Sequence, residues 1–201
     1  MFKTSMDKLD FMSNIGQKLE IDHTMTSHDR QTSKTRDAVL MAFSALVFSS
    51  RYDEIRMADI ARDASIGRST LYLHYRDKDS ILLDSMAPLL TDLASAIQGE
   101  SAQARVEAAL AHVWSHRDRG RIVLFGLTGR KLETGLAQCL TGVLDFEKHT
   151  LAPPFIVNPL SAAIFAIIRT WVHGEASGTA SDIACHLCLL AQATVMASRH
   201  V

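Results

Sequence analysis

Apolar residues recur at helical spacing along most of the chain, and two short runs of this kind stand close together between residues 57 and 75. In residues 57–64 the apolar positions lie three or four apart, which predicts a short helix. Residues 65–67, Ser-Ile-Gly, interrupt the pattern with turn-prone residues. A second short helix follows over residues 68–75, with Gly67 as its cap. The spacing therefore predicts a helix, a tight turn and a helix.

The second of these helices can bury only one face. Thr70, Leu71 and Tyr75 fall on a common side, which predicts that this side is buried. The residues that must project elsewhere are Arg68, Ser69, Tyr72, Leu73 and His74. A helix of this length is not stable alone in water, so the exposed face needs another explanation. A helix-turn-helix whose second helix lies in the DNA major groove provides one.

The same residues resemble the TetR family of one-component bacterial transcriptional regulators. The family signature ends its recognition helix with Leu-Tyr-x-His-aromatic and then a Lys, which here reads Leu71-Tyr72-Leu73-His74-Tyr75 and Lys78. Upstream matches are Val39-Leu40, Ala42, Leu46-Val47, Tyr52 and Asp59-Ile60-Ala61. The match covers about residues 34–83 and is specific because many positions agree in order and spacing.

The resemblance and the exposed face together predict a DNA-binding surface. Its candidate residues are Arg56, Arg68, Ser69, Thr70, Tyr72, Leu73, His74 and Lys78. Arg68 opens the recognition helix and suits a guanine edge or a phosphate, whereas Leu73 can meet a thymine methyl group. The resemblance implies that Tyr72, His74 and Lys78 hold phosphates, contacts that position the protein without reading sequence.

Four positions depart from the family pattern. Ser65 replaces the usual turn glycine, and Arg51 stands where glycine commonly follows the first helix. A left-handed Arg51 would cost on the order of 1–2 kcal/mol. Arg56 occupies the usual Ser/Thr cap, so about 1 kcal/mol of capping is expected to be missing, unless Arg56 uses that place to reach a phosphate. Ala58 stands where many members carry an arginine that touches DNA, so that contact is expected to be lost.

The remaining pattern predicts an all-α protein with further helices. They are expected over residues 33–50, about 77–97, 101–118, 130–150, 159–174 and 180–198. Pro88 is expected to kink the helix that contains it and to make a hinge. Pro153-Pro154 is expected to end a helix, and Asn158-Pro159 to begin one. Residues 179–182, Thr-Ala-Ser-Asp, read as a capping box.

The domain prediction follows from these helices and from the resemblance. Residues 1–32 are expected to form an extension, either a disordered leader or an arm that packs on the partner subunit or touches DNA, with Arg30, Lys34 and Arg36 at its end to meet phosphates. Residues 33–79 form a three-helix helix-turn-helix domain, and residues 80–201 a helical ligand-binding and dimerisation domain. The last two helices are apolar on most faces. This predicts a homodimer through a four-helix bundle, with operator half-sites about 34 Å apart or somewhat more.

Composition limits the setting. The chain has 201 residues, is 47% hydrophobic and carries a formal net charge of −1, so a DNA-binding role must rest on a local surface. Three cysteines without framework spacing favour a reducing cytoplasm. The sequence shows no secretory apolar run, and no stretch is expected to be long and apolar enough to span a membrane. A soluble cytoplasmic protein is therefore expected.

The effector side gives weaker signals. Candidate lining residues are Met86, His112, Trp114, His116, Phe125, Phe146, His149, Phe165 and Trp171. Each also has a simpler interpretation as a core or surface position. The set favours a hydrophobic or aromatic molecule. No cofactor or metal site is predicted, although His112 and His116 lie one turn apart and leave a metal there as a weak alternative.

The leading hypothesis is a repressor that leaves a palindromic operator when a small ligand shifts its conformational equilibrium. An activating regulator and a ligand-independent or architectural DNA-binding protein are alternatives. An enzyme is disfavoured, because the sequence has no Gly-rich phosphate loop, nucleophile elbow or credible carboxylate pair.

Overall fold

A computed structural model describes residues 27–199, without the side chains of residues 27–30 and Arg119. Within this part the chain is helical, and its only extended pairing is a single bridge between His149 and Arg199. The all-α prediction is therefore confirmed. The question of a leader or an arm over residues 1–26 lies outside the described residues.

The described residues up to position 77 contain three α-helices. They are α1 (Ser27–Ser49), α2 (Met57–Asp63) and α3 (Arg68–His74), with a 3₁₀ turn at Tyr52–Glu54 between α1 and α2. Helix α1 begins six residues before the predicted start, because polar residues continue it beyond its apolar stripe. Phe43 on α1, Ile60 on α2 and Leu71 on α3 are each at most 1% exposed and form a common core.

The turn between α2 and α3 is a Schellman motif with a serine in the glycine position. The Ile66 N–H donates to the Ala61 carbonyl and the Ser65 N–H to the Arg62 carbonyl, both at 3.0 Å. Ser65 has φ +56°, the only positive φ of a non-glycine residue among residues 27–199. The backbone strain thus falls on Ser65.

The predicted strain at Arg51 is wrong, whereas the missing side-chain cap at Arg56 is observed. Arg51 is extended, with φ −67° and ψ 140°, so it carries no left-handed strain. Arg56 is the N-cap of α2 without a side-chain cap bond, as expected. The Asp59 carboxylate accepts the Arg56 N–H at 3.3 Å, so half of a capping box survives.

Helix α4 (Lys78–Ala94) leads from the amino-terminal half into the rest of the molecule. Asp77 caps it by accepting the Ser80 N–H at 2.8 Å, and the helix continues through Pro88. A 3₁₀ segment (Ser95–Ala102) follows. Helix α4 packs against α1 on one side and, further along, against a carboxy-terminal helix, α7 (Gly126–Val143).

Two of the helices predicted in the carboxy-terminal half have different bounds in the structure. The expected helix over residues 101–118 is α5 (Gln103–Ser115), and α6 (Arg117–Leu124) follows it directly. Helix α7 begins four residues before position 130 and ends before the 3₁₀ turn at Phe146–Lys148. The chain turns directly after Gly142 and Val143, seven residues before the predicted end of the helix.

The last two helices are α8 (Pro153–His173) and α9 (Ala180–Ala197). Pro153 begins α8 instead of ending α7, and Pro159 lies inside α8, contrary to prediction. Proline fits the first turn, where the backbone N–H groups lack helical partners. The capping box at Thr179 is confirmed, because its Oγ1 accepts the Asp182 N–H at 3.1 Å.

The expectation that no stretch is long and apolar enough to span a membrane is wrong. Three helical stretches of the described chain are long and apolar enough: Lys78–Ser115, Pro153–His173 and Ala180–Ala197. In the most apolar window of α9 only 28% of the residues are buried within this chain. Helix α9 therefore has apolar surface that the rest of the described chain does not cover.

Candidate nucleic-acid interface and effector cavity

The outward face of α3 is the exposed surface that the sequence predicted. Leu73 is 85% exposed and Tyr72 56% exposed, and Arg68 and Ser69 are also exposed. On the opposite face Leu71 is fully buried, which holds the helix on α1 and α2. A large apolar side chain that is almost fully exposed on a seven-residue helix is suited to contact with a partner.

Positive charge on this surface comes from Arg56 and Arg68. Both side chains are exposed, and within the described residues neither has an ion-pair partner. The guanidinium of Arg62, in contrast, pairs with Asp59 and Asp63, each at 3.0 Å. The local surface is thus basic at α3 even though the whole chain is nearly neutral.

Thr70 and His74 are half-buried at the edge of this surface. Lys78 has a different setting. Its Nζ donates to the carbonyl oxygens of Tyr52 at 2.6 Å, Ile55 at 3.0 Å and Asp53 at 3.2 Å. It also lies 4.7 Å from the Tyr52 ring centroid. These contacts use all three ammonium protons, so Lys78 fastens α4 to the turn before α2.

Sequence reasoning missed a polar cluster behind α3. The Asp84 carboxylate on α4 accepts the Tyr75 hydroxyl and the Arg36 guanidinium, with Nε at 2.8 Å. Burial opposes ionisation of Asp84, but the hydrogen bonds from Arg36 and Tyr75 outweigh it and lower the pKa of Asp84. The cluster joins α1, the end of α3 and α4. The Arg36 guanidinium, which was predicted to meet a phosphate, is hydrogen-bonded to Asp84.

Three of the nine predicted effector residues line one cavity. Met86, His112 and His116 surround a volume of about 60 Å³, completed by Phe48, Leu89, Val113, Gly120, Val123 and Leu124. The two imidazoles lie 4.5 Å apart between ring centroids. Burial, followed by the nearby His116, lowers the pKa of His112. Among the described residues no group of three metal-ligating side chains occurs.

The other six predicted effector residues lie elsewhere. Phe165 is fully buried, and Trp171 is 2% exposed and donates its indole N–H to the Gly178 carbonyl at 2.9 Å. Trp114 stacks on Trp171 with ring centroids 4.6 Å apart. Phe125 packs edge-on against His173 with ring centroids 4.1 Å apart.

Phe146 and His149 lie near the carboxy terminus. The Nδ1 of His149 is 2.8 Å from the Ser198 hydroxyl, and Phe146 is half-buried beside His149. Both residues are therefore placed to fasten the loop between α7 and α8 to the end of α9.

Comparison with known proteins agrees with this geometry. The sequence model of bacterial regulatory proteins of the tetR family matches residues 48–84, from the end of α1 to the start of α4. A TetR transcriptional regulator from Streptococcus agalactiae 2603V shares the fold, with a TM-score of 0.51 and 22% identity over 82% of this chain and 97% of that chain.

A TetR transcriptional regulator from Rhodococcus sp. RHA1 has 14% identity and a TM-score of 0.46, over 82% of this chain and 97% of that chain. No curated protein matches the sequence. Residues 48–84 are thus similar to the helix-turn-helix segment of bacterial regulatory proteins of the tetR family, and the described chain shares the all-helical fold of a TetR transcriptional regulator.

Proposed function

We propose that this protein is a ligand-responsive regulator that binds a palindromic operator as a homodimer and is released by a small hydrophobic or aromatic molecule. The observation that carries the proposal is the outward face of α3. Arg68, Tyr72 and Leu73 project from a helix whose other face is buried. In this proposal the protein represses in the cytoplasm and has no enzymatic activity.

The side chains of this face have distinct roles in the proposal. Arg68 reads a guanine or binds a phosphate, and Leu73 contacts a thymine methyl group. Ser69 is small enough to let the helix approach the bases. Tyr72 and Arg56 bind phosphates at the rim. Thr70 and His74 support the edge of the contact.

Lys78 keeps its structural role, because its ammonium protons are already bound by carbonyl oxygens. In the proposal it sets the angle between α4 and the helix-turn-helix instead of binding a phosphate.

Uncovered apolar surface on the last two helices supports the homodimer. Leu189 and Met196 on α9 are 60% and 63% exposed, and Phe155 at the start of α8 is 71% exposed. Between them lie small exposed residues such as Ala166 and Ala193, which allow helices to approach closely. Pairing these faces across a two-fold axis would bury them. Binding to successive major grooves then requires the two α3 helices to lie about 34 Å apart or somewhat more.

The cavity between α4, α5 and α6 supports a sensor. Its lining is almost entirely apolar, with His112 and His116 as the polar groups. A volume of about 60 Å³ is smaller than typical ligand sites of about 300–1,000 Å³. An effector must therefore widen the cavity. Because Met86 and Leu89 of α4 form one wall, widening would move α4 and change the spacing of the two α3 helices.

The same small volume favours a second candidate, a DNA-binding protein that responds to no ligand. The two candidates differ in one measurement. A compound that raises the melting temperature and lowers operator affinity supports the sensor, whereas a full hydrophobic library without such a compound supports the second candidate.

The test of DNA binding is a selection of random duplex DNA on the purified protein. Wild type should enrich a two-fold symmetric sequence, and Arg68→Ala and Tyr72→Ala should lose or blur it. Arg105→Ala is the matched control, since it removes an exposed positive charge from α5, away from the helix-turn-helix. If the folded dimer enriches no DNA sequence, either alone or in the presence of the hydrophobic compound library, the proposal is refuted.

A further inference from the structure

Helices α4 and α7 meet at a charged contact that links the two halves of the molecule. The Asp79 carboxylate, in the first turn of α4, accepts Lys131 Nζ from α7 on Oδ2. Its other oxygen, Oδ1, accepts the hydroxyl of Tyr52 from the 3₁₀ turn between α1 and α2. One carboxylate therefore joins the carboxy-terminal half, α4 and the segment that leads into α2.

The surroundings make this contact specific. Lys131 Nζ lies 5.9 Å from the Tyr52 ring centroid, and Lys78 Nζ lies 4.7 Å from it. The Tyr52 ring packs edge-on against Phe43 in the core of α1, with ring centroids 6.4 Å apart. Burial, followed by the hydrogen bond to Asp79, raises the pKa of Tyr52, so its hydroxyl remains a proton donor at neutral pH. The position of Tyr52 is thus determined from several sides.

Helix α7 is held on its other side as well. Glu133, two residues after Lys131, accepts the Arg169 guanidinium of α8 at 3.4 Å. One turn after Lys131, α7 approaches α4 so closely at Gly135 that an added Cβ would lie 2.5 Å from Leu83. A displacement of α7 would therefore move α4 at two successive turns, through Lys131 at Asp79 and through Gly135 at Leu83. A displacement of α8 would reach α7 through the Arg169–Glu133 pair.

We propose that Lys131 is a positioning residue for DNA binding, acting through Asp79 and Tyr52 to hold the helix-turn-helix at its operator-binding angle. This inference rests on the proposed function, because it names the contact by which the carboxy-terminal half controls α3. It assigns no DNA contact to Lys131 itself. Loss of the Lys131 ammonium leaves Asp79 with the Tyr52 hydroxyl alone and frees α4 from α7 at this end.

The central variant is Lys131→Met, which keeps the length of the side chain and removes its charge. The matched control is Lys148→Met, because Lys148 pairs with Asp145 at 2.7 Å, an acidic residue three positions away on the same exposed segment and not on α4. Operator affinity is measured by fluorescence anisotropy on the duplex that wild type selects. We expect Lys131→Met to weaken binding about three- to tenfold and Lys148→Met to leave it unchanged.

Asp79→Asn separates positioning from plain charge attraction. Removing a negative charge near DNA should strengthen binding if only the overall field matters. A positioning role predicts the opposite, weaker binding, and no further loss when Lys131→Met is added to Asp79→Asn. Tighter binding by Asp79→Asn, or additive effects of the two changes, would overturn the proposal.

Hydrogen exchange of the free protein supplies a readout that does not need DNA. Lys131→Met should speed exchange at residues 52–60 while α9 exchanges as in wild type. If neither exchange nor affinity distinguishes Lys131→Met from Lys148→Met, the inference fails. If wild type selects no duplex, the proposed function fails, and exchange alone then supports or overturns the positioning contact.

Discussion

The left-handed serine between α2 and α3 allows a direct test of where this fold stores strain. Ser65 has φ +56° and is exposed, and its N–H is part of the Schellman bonding that ends α2. The change is Ser65→Gly. Glycine adopts this conformation without the clash of a Cβ with the backbone, so the turn should keep its hydrogen bonds and lose its strain.

The magnitude follows from two opposing contributions. A left-handed conformation costs an L-residue roughly 1–2 kcal/mol. Glycine makes the unfolded chain more flexible, which offsets this gain by roughly 0.5–1 kcal/mol. Ser65→Gly should therefore raise the free energy of unfolding by about 0.5–1 kcal/mol. For a chain of this size the melting temperature should rise by about 1–4 °C.

The assay is thermal unfolding followed by circular dichroism, with Ser50→Gly as the control. Ser50 is an exposed turn residue after α1 without a positive φ, so glycine there should only lower the melting temperature. Ser65→Ala keeps a Cβ and should not stabilise the protein. If Ser65→Gly lowers the melting temperature as Ser50→Gly does, the assignment of strain to Ser65 is refuted.

Three further predictions concern the core, the cluster behind α3 and the dimer. Phe165→Ala should lower the free energy of unfolding by about 3–5 kcal/mol in denaturant titrations, because the ring is fully buried; a small loss would return Phe165 to the effector candidates. Asp84→Asn should melt below wild type at pH 7. Because the folded-state pKa of Asp84 is lowered, the ionised carboxylate contributes stability above about pH 4. The difference in melting temperature between wild type and Asp84→Asn should therefore disappear as pH falls through the folded-state pKa. A difference that stays constant with pH would contradict this. Leu189→Asp should give monomers in sedimentation, whereas Ile122→Asp, at the 54% exposed Ile122 of α6, should remain dimeric; equal behaviour of the two would argue against α9 as the interface.

The cavity and the Lys131 contact both involve α4. His112 and His116 line a cavity together with Met86 on α4, so the proposed effector would contact α4 directly. Lys131 on α7 contacts the same helix through Asp79. Variants at the cavity and at Lys131 should therefore affect operator binding through one element, and their effects should not be additive.

The sequence by itself determined the helix-turn-helix, because that motif is written in local signals. Apolar spacing defined α2 and α3, the turn lay at residues 65–67, and the box beginning at Thr179 marked the start of α9. Each of these depends on residues within about one helical turn, so propensity, capping and periodicity act together. The exposed face of α3 could be predicted for the same reason.

Only the tertiary structure decided which side chains meet across the molecule. Lys78 occupies the lysine position of the signature, yet its ammonium donates hydrogen bonds to three carbonyl oxygens. Lys131 meets Asp79 from 52 positions away, and Arg36 meets Asp84 from 48. Such pairs depend on how helices cross, and no local pattern contains the crossing geometry. For that reason the sequence predicted the exposed face of α3, while the contact that joins the helix-turn-helix to the rest of the chain emerged only from the packing of α4 against α7.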